Sequence, residues 1–199
     1  MPSRPRLLLL DACAVFEAFS ARGWRALCTQ YEVLIPETVA FREAYYYEDD
    51  EGTKHDLDMK QFAADGMFKL VAAPTTSIED MRKRLHPGLR QKVDAGEAEA
   101  IAYLRTLGDL EHIRFVTADG GAIEALVAFD MGEAAMSLDA ALRACGAPRV
   151  LPAHHQETFV EKKRQDGMQL KLSGKARVDV TFDGKPIAPP KEKKGKSKR

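Results

Sequence analysis

The first regular pattern in the chain is LLLL at residues 7–10, bounded by Pro5 and Arg6 on one side and Asp11 on the other. Four apolar residues without polar alternation predict a strand buried on both faces, as in the middle of a parallel sheet. A helical run is expected over about residues 14–29, with Val15, Phe16, Phe19, Trp24 and Leu27 at its apolar positions and Gly23 breaking it. Val33, Leu34 and Ile35 predict a second short strand. Pro36 and Glu37 then predict a helix start, because proline is tolerated in a first turn and glutamate favours the positive helix end; the helix should run to about Tyr47. Residues 48–56, EDDEGTKHD, read as an acidic loop, and residues 57–65 as a short helix. Phe68, Leu70 and Val71 form a third strand candidate, followed by a turn at 74–77 and a helix to about Leu85.

The clearest helix is 94–107, DAGEAEAIAYLRTL, rich in good helix formers and striped by Ala100, Ile101, Leu104 and Leu107. IRFV at 113–116 predicts a strand, TADGGAI a turn with a helix starting near Gly121, and 138–145 a last helix stopped by Gly146 and Pro148. Strands alternating with helices predict βαβ units and a parallel sheet. Leu8, Leu10, Val33, Ile35, Val71, Phe115 and Val116 should be nearly buried in it. Past residue 150 the pattern weakens. A polar helix is expected at about 155–165, and 168–182 alternates like a hairpin turning near Ser173-Gly174. The last segment has no apolar residue after Pro190 and should be disordered. The chain therefore divides into a domain at 1–150, an extension at 151–190 and a basic tail at 191–199.

Composition changes this picture in two ways. At 199 residues, 45% hydrophobic and 30% charged, there is material for one core plus an appendage. The net charge of zero conceals a split: residues 1–150 hold 17 Lys and Arg against 24 Asp and Glu, whereas 151–199 hold 13 against 6. Cys13, Cys28 and Cys145 stand singly, with no disulfide or zinc spacing, which suits a reducing cytoplasm. The N-terminal leucine run is cut by Asp11 too soon for a signal peptide, and no stretch is apolar enough to span a membrane. There is no GxxxxGK[ST] and no GxGxxG after the first strand, which argues against nucleotide-dependent kinases and dehydrogenases. A phosphoaspartyl hydrolase needs a second acid two residues after the first, where this chain has Cys13.

Four acids fall where such a fold binds ligands. Asp11 ends the first strand, Glu43 lies on the helix after the second, Glu97 opens the 94–107 helix, and Asp119 follows the strand at 113–116. Ligands of open α/β sheets bind beyond the carboxyl ends of the strands. Clustered carboxylates repel one another unless a cation neutralises them, and an oxygen-rich set suits Mg²⁺ or Mn²⁺. Plainer roles compete. Asp11 and Asp119 could simply cap helices, Glu43 could be a surface residue, and Glu99 rivals Glu97 as the inward glutamate. Thr117 could bond Asp119 or substrate, or be a bare turn residue. Glu133 and Asp139 read as surface and cap residues, and Cys13 as a small core residue; His154-His155 could touch nucleic acid but read as polar surface, and Tyr45-Tyr46-Tyr47 could stack on bases but read as helix packing.

The segments LLLLDACAVF at 7–16, LIPETVAFREA at 34–44, GEAEAIAYL at 96–104 and FVTADGGAI at 115–123, taken in order, resemble the PIN-domain nucleases, which include the toxin component of many bacterial toxin–antitoxin pairs. The resemblance implies a three-layer α/β/α fold around a parallel sheet. It implies hydrolysis of phosphodiester bonds, mostly in RNA, by Asp11, Glu43, Glu97 and Asp119 with Mg²⁺ or Mn²⁺, supported by Thr117 or Glu99. A cognate antitoxin and a homodimer are the protein partners it implies. The basic tail, through Lys191, Lys193, Lys194, Lys196, Lys198 and Arg199, is expected to contact RNA phosphates. The alternative is a non-catalytic nucleic-acid-binding or scaffold protein of the same fold. It is suggested by Ala12-Cys13, where many relatives carry a hydroxyl or amide residue after the first aspartate, and by the basic extension.

Overall fold

A computed structural model describes residues 7–49, 51–179 and 186. Five parallel strands, β1 (Leu7–Leu10), β2 (Glu32–Pro36), β5 (Lys69–Val71), β6 (Ile113–Val116) and β7 (Ala135–Met136), form one sheet in the order β5-β2-β1-β6-β7. The leucine run is thus the central strand, and Leu8, Leu9 and Leu10 are fully buried. Alternation assigns the two faces. Leu8, Leu10, Val33, Ile35 and Val116 join a core with α1 (Ala12–Ser20), α2 (Trp24–Gln30), α3 (Met59–Ala64) and α8 (Leu138–Ala144). Leu9, Leu34, Ile113 and Phe115 join a second core with α4 (Thr75–Arg84), α5 (Pro87–Arg90), α6 (Ala95–Leu107), α7 (Gly120–Ala128) and α9 (Glu157–Leu172). The fold is therefore α/β, with helices covering both faces of a parallel sheet in three layers. Six of the seven expected core residues are buried; Val71 is half-buried because β5 is an edge strand.

Three local expectations are overturned. The helix expected from Pro36 to Tyr47 ends early. Pro36 closes β2, a wide helical turn occupies Val39–Glu43, and β3 (Tyr46–Glu48) pairs antiparallel with β4 (Lys54–Asp56). Of the segment expected as an acidic loop, Glu48 ends β3 and Lys54–Asp56 is β4; Tyr47 stacks on Phe19 and His55 while Tyr45 and Tyr46 are exposed. The expected turn at 74–77 is instead the start of α4, after Pro74. The hairpin expected at 168–182 does not form over its first half: Met168–Leu172 is the end of α9. Val160, Gly167 and Leu170 lie at helical spacing against α7, and a Cβ at Gly167 would stand 2.8 Å from the Val127 side chain. Burial of that stripe outweighs the short period-two pattern of MQLKL, leaving Met168 and Leu172 exposed. Ser173 and Gly174 end the helix, Gly174 with φ at 71°. The rest of the expected hairpin past Asp179, and the tail at 191–199, lie outside the described residues.

Helix α7 is buried nearly all round because α9 packs along it and its apolar residues share a core with Leu9 and Phe115 of the sheet. Strand β7 went unrecognised because it has only two residues. Among the described residues, no helix is long and apolar enough to cross a membrane.

Candidate active site

The carboxyl ends of β1 and β6 set the site. Leu10 pairs with Val116, so the next residues, Asp11 and Thr117, leave the sheet side by side. The Asp11 amide donates to the Val116 carbonyl at 3.3 Å, and the Thr117 hydroxyl donates to Asp11 Oδ2. Asp11 Oδ1 accepts from the Ala14 amide at 2.7 Å and caps α1. Thr117 also accepts from the Asp119 amide at 3.0 Å, and Asp119 Oδ1 caps α7 by accepting from Ala122 at 2.9 Å. The capping roles weighed for Asp11 and Asp119 are therefore real. Each cap commits one carboxylate oxygen, Oδ1 in both residues. Of the alternatives weighed for Thr117, the hydroxyl bonds the first aspartate and the backbone of the second.

A third helix start completes the group. Asp94 caps α6 by accepting from the Glu97 amide at 2.8 Å, and Glu97 Oε2 accepts from the Asp94 amide at 2.9 Å, a reciprocal capping box. Glu43 reaches this helix end from the turn after β2, accepting from the Gly96 amide at 3.1 Å. Gly96 makes that approach feasible: a Cβ there would collide with the Glu43 carboxylate and stand 2.7 Å from Val39. Glu99, two residues on, accepts from the Thr38 amide at 2.8 Å. Both Glu97 and Glu99 are buried, but they serve different neighbours.

Electrostatics separates the four expected acids into a centre and a flank. Burial pushes the Asp11 carboxyl up to about 7, aided by the charges of Asp119 and Asp94 and opposed by Thr117 and Ala14. Glu97 is pushed up to about 9, again first by burial, then by Asp119, Asp94 and Asp11. Asp11, Glu97 and Asp119 thus share one electrostatic field with Asp94. Glu43 is also raised, chiefly by burial, but the charges acting on it are Asp94 and Glu99. It sits on the flank and joins the centre through Asp94 and Gly96. Asp94 is the acid that sequence reading missed as a site residue; its spacing of three before Glu97 is the capping-box signature that could have marked it.

Three smaller assignments change. Cys13 is exposed at the rim rather than in the core. Partial burial of its thiol and then the carboxylates of Asp11, Glu97, Asp119 and Asp94 push its pKa up to about 12, which removes it as a nucleophile. His155 is buried, not surface, with a pKa pushed down to about 4 by burial and by His154; it stays neutral near pH 7. Asp139 is buried in the first turn of α8 and paired with Arg143 at 2.9 Å, while Ser137 is the cap.

The donor set around Asp11 is all oxygen and acidic, which fits a hard divalent cation in charge and chemistry. The raised proton affinities point the same way, since a cation would displace those protons. Among the described residues, however, no three ligating side chains stand close enough to hold a metal ion as they are. Glu97 is turned back onto the Asp94 amide, and both Asp11 oxygens already accept hydrogen bonds. No protein-family profile matches the chain, and no curated protein matches it significantly in sequence.

Proposed function

We propose that this protein is a divalent-cation-dependent nuclease hydrolysing phosphodiester bonds in RNA, in keeping with its resemblance to PIN-domain nucleases. The observation that carries the reading is that Asp11 and Asp119 follow the paired central strands β1 and β6 and, with Glu97 at the start of α6, are near enough for their charges to act on one another. Those three would hold Mg²⁺ or Mn²⁺, with Asp94 and Glu43 as flanking oxygen donors. When bound, such an ion supplies activation of water and neutralisation of charge on the phosphate. The chain's own residues do the positioning. Thr117 and the amide of Ala14 hold Asp11, and the amide of Ala122 holds Asp119, so neither carboxylate must be ordered at the moment of reaction. Cys13 stays protonated at the rim and takes no part in covalent chemistry.

The purified chain should cut single-stranded or structured RNA with Mg²⁺ or Mn²⁺ and not with EDTA, and calorimetry should detect the ion. No cleavage together with no metal binding would overturn the reading. A second reading, a non-catalytic RNA-binding or scaffold protein of this fold, is favoured by the absence among the described residues of three ligands already grouped for a metal. It predicts equal RNA binding in EDTA and no effect of Asp11→Asn in cells.

The acidic first 150 residues repel a polyanion, so the basic residues at 191–199 are proposed to contact RNA phosphates without sequence preference. A cytoplasmic nuclease of the toxin type implies a cognate antitoxin and a homodimer as partners. The first would be encoded by a small neighbouring gene, and light scattering at micromolar concentration tests the second. A reducing compartment suits Cys13, Cys28 and Cys145, which are free thiols.

A further inference from the structure

Beside the carboxylate centre lies a cleft of about 510 Å³ between α1, the β3 strand and the turn at Ala153–His155. Glu43 and Cys13 border both the cleft and the centre, so the two are continuous. Its lining includes the aromatic residues Phe16 and Tyr46, and Tyr47, whose ring is already stacked on Phe19 and His55. Tyr46 is 43% exposed, with the ammonium of Lys54 over its ring at 4.4 Å, so its ring is not spent on packing against the core. His155 borders the cleft and is only 3% exposed, and among the described residues its Nδ1 has no hydrogen-bond partner. A buried ring nitrogen left without a partner is costly.

We propose that this cleft is a nucleobase subsite, which receives one unpaired base of single-stranded RNA next to the phosphate at the carboxylate centre. For its orientation the proposal rests on the nuclease reading above. Aromatic walls stack on a base's π-face without regard to sequence, as in many single-strand binders. The polar border, with Ser20 and Glu17 beside His155, offers hydrogen-bond partners to a base edge. A base can enter only when unstacked and unpaired, which selects single strands, loops and bulges over duplex.

The test uses the full-length protein in EDTA, so that nothing is cut, with two short fluorescent oligonucleotides of equal phosphate count, one all-RNA and one abasic throughout. Fluorescence anisotropy should show tighter binding of the base-bearing strand. Tyr46→Ala, which removes a stacking face, and Ser20→Phe, which fills the cleft, should each weaken that binding about ten-fold and leave abasic binding unchanged. Equal affinity of the wild type for both strands, or equal weakening of both by the variants, overturns the subsite. A parallel cleavage assay with Mg²⁺ separates the two ideas. A protein that prefers the base-bearing strand but never cuts it keeps the subsite and loses the nuclease. One that cuts RNA without base preference does the reverse.

Discussion

Asp11 and Glu124 are buried alike, each 3% exposed, and they sit in opposite electrostatic surroundings. Glu124, on α7, is met by two cations: Lys92 at 2.9 Å and Lys163 of α9 at 3.2 Å. Asp11, at the end of β1, is met by a hydroxyl, a backbone amide and the charges of Asp119 and Asp94. A buried carboxylate with its own lysines is a structural ion pair, completed by the fold. One surrounded by other carboxylates is completed only by a proton or an added cation. The difference marks the end of the sheet, rather than the α7–α9 interface, as the place where chemistry is to be sought.

The largest effect expected from this contrast is on cleavage. Asp11→Asn or Asp119→Asn should lower RNA cleavage by more than about 100-fold, beyond the usual cost of losing a supporting residue around a metal, with circular dichroism unchanged. Wild-type cleavage by either variant would remove that residue from the mechanism. Next comes an attempt to turn Glu124 into a second Asp11. Lys92→Met with Lys163→Met leaves Glu124 buried without a cation and should cost about 3 kcal/mol in urea denaturation at neutral pH. A loss below the error of the fit would make those lysines ornamental and weaken the comparison.

The pH dependence of the metal-free protein sharpens it further. Asp11 holds its proton to about 7 against an ordinary 3.8, and Glu97 to about 9 against 4.5. The folded state thus keeps protons that the unfolded chain has already released. Their contribution to stability is fully present below the unfolded values and is lost as pH rises through the folded ones, so stability in EDTA should fall between about pH 4 and pH 9. Asp11→Asn should be more stable than wild type by about 1–3 kcal/mol at pH 8 and equal to it near pH 4. Added Mg²⁺ should raise the wild-type Tm at pH 8 more than the variant's. A flat wild-type profile in EDTA would contradict the surroundings assigned to Asp11 and Glu97. A smaller effect is expected at the flank. Gly96→Ala forces Glu43 and Val39 apart and should cost about 1–3 kcal/mol, read as a lower urea midpoint. The smallest concerns the tail. Truncation after Pro190 should weaken RNA binding, flatten its salt dependence and leave the saturated cleavage rate unchanged. Superimposable binding curves at low and moderate salt would end the tail's proposed role.

Much of the architecture was legible because burial writes itself into residue type. An unbroken LLLL predicts a strand covered on both faces, and β1 is the middle strand of five. The 94–107 helix carried its own start signal, and Asp94 and Glu97 formed the capping box that the spacing allows. Local pattern failed where a distant partner outweighed it. The alternation in MQLKL suggested a strand, but α7 offered a groove that only a helix with Gly167 at its surface could fill. Tyr45-Tyr46-Tyr47 looked like the end of a helix, yet the backbone leaves the helical turn after Glu43 and pairs Tyr46 with Asp56 instead.

The same division holds for the site. Sequence by itself determined which acids follow strands and open helices, since strand ends and caps are local features set by neighbouring residues. It could not rank them, because burial and mutual repulsion depend on which strands lie side by side. The parallel pairing of β1 with β6 brings Thr117 onto Asp11 across 106 residues of chain. The close approach at Gly96 holds Glu43 on the flank, and α9 supplies Lys163 to Glu124 across 39. Those three juxtapositions are tertiary, and they decide which carboxylates come with their counter-charge and which call for one from outside.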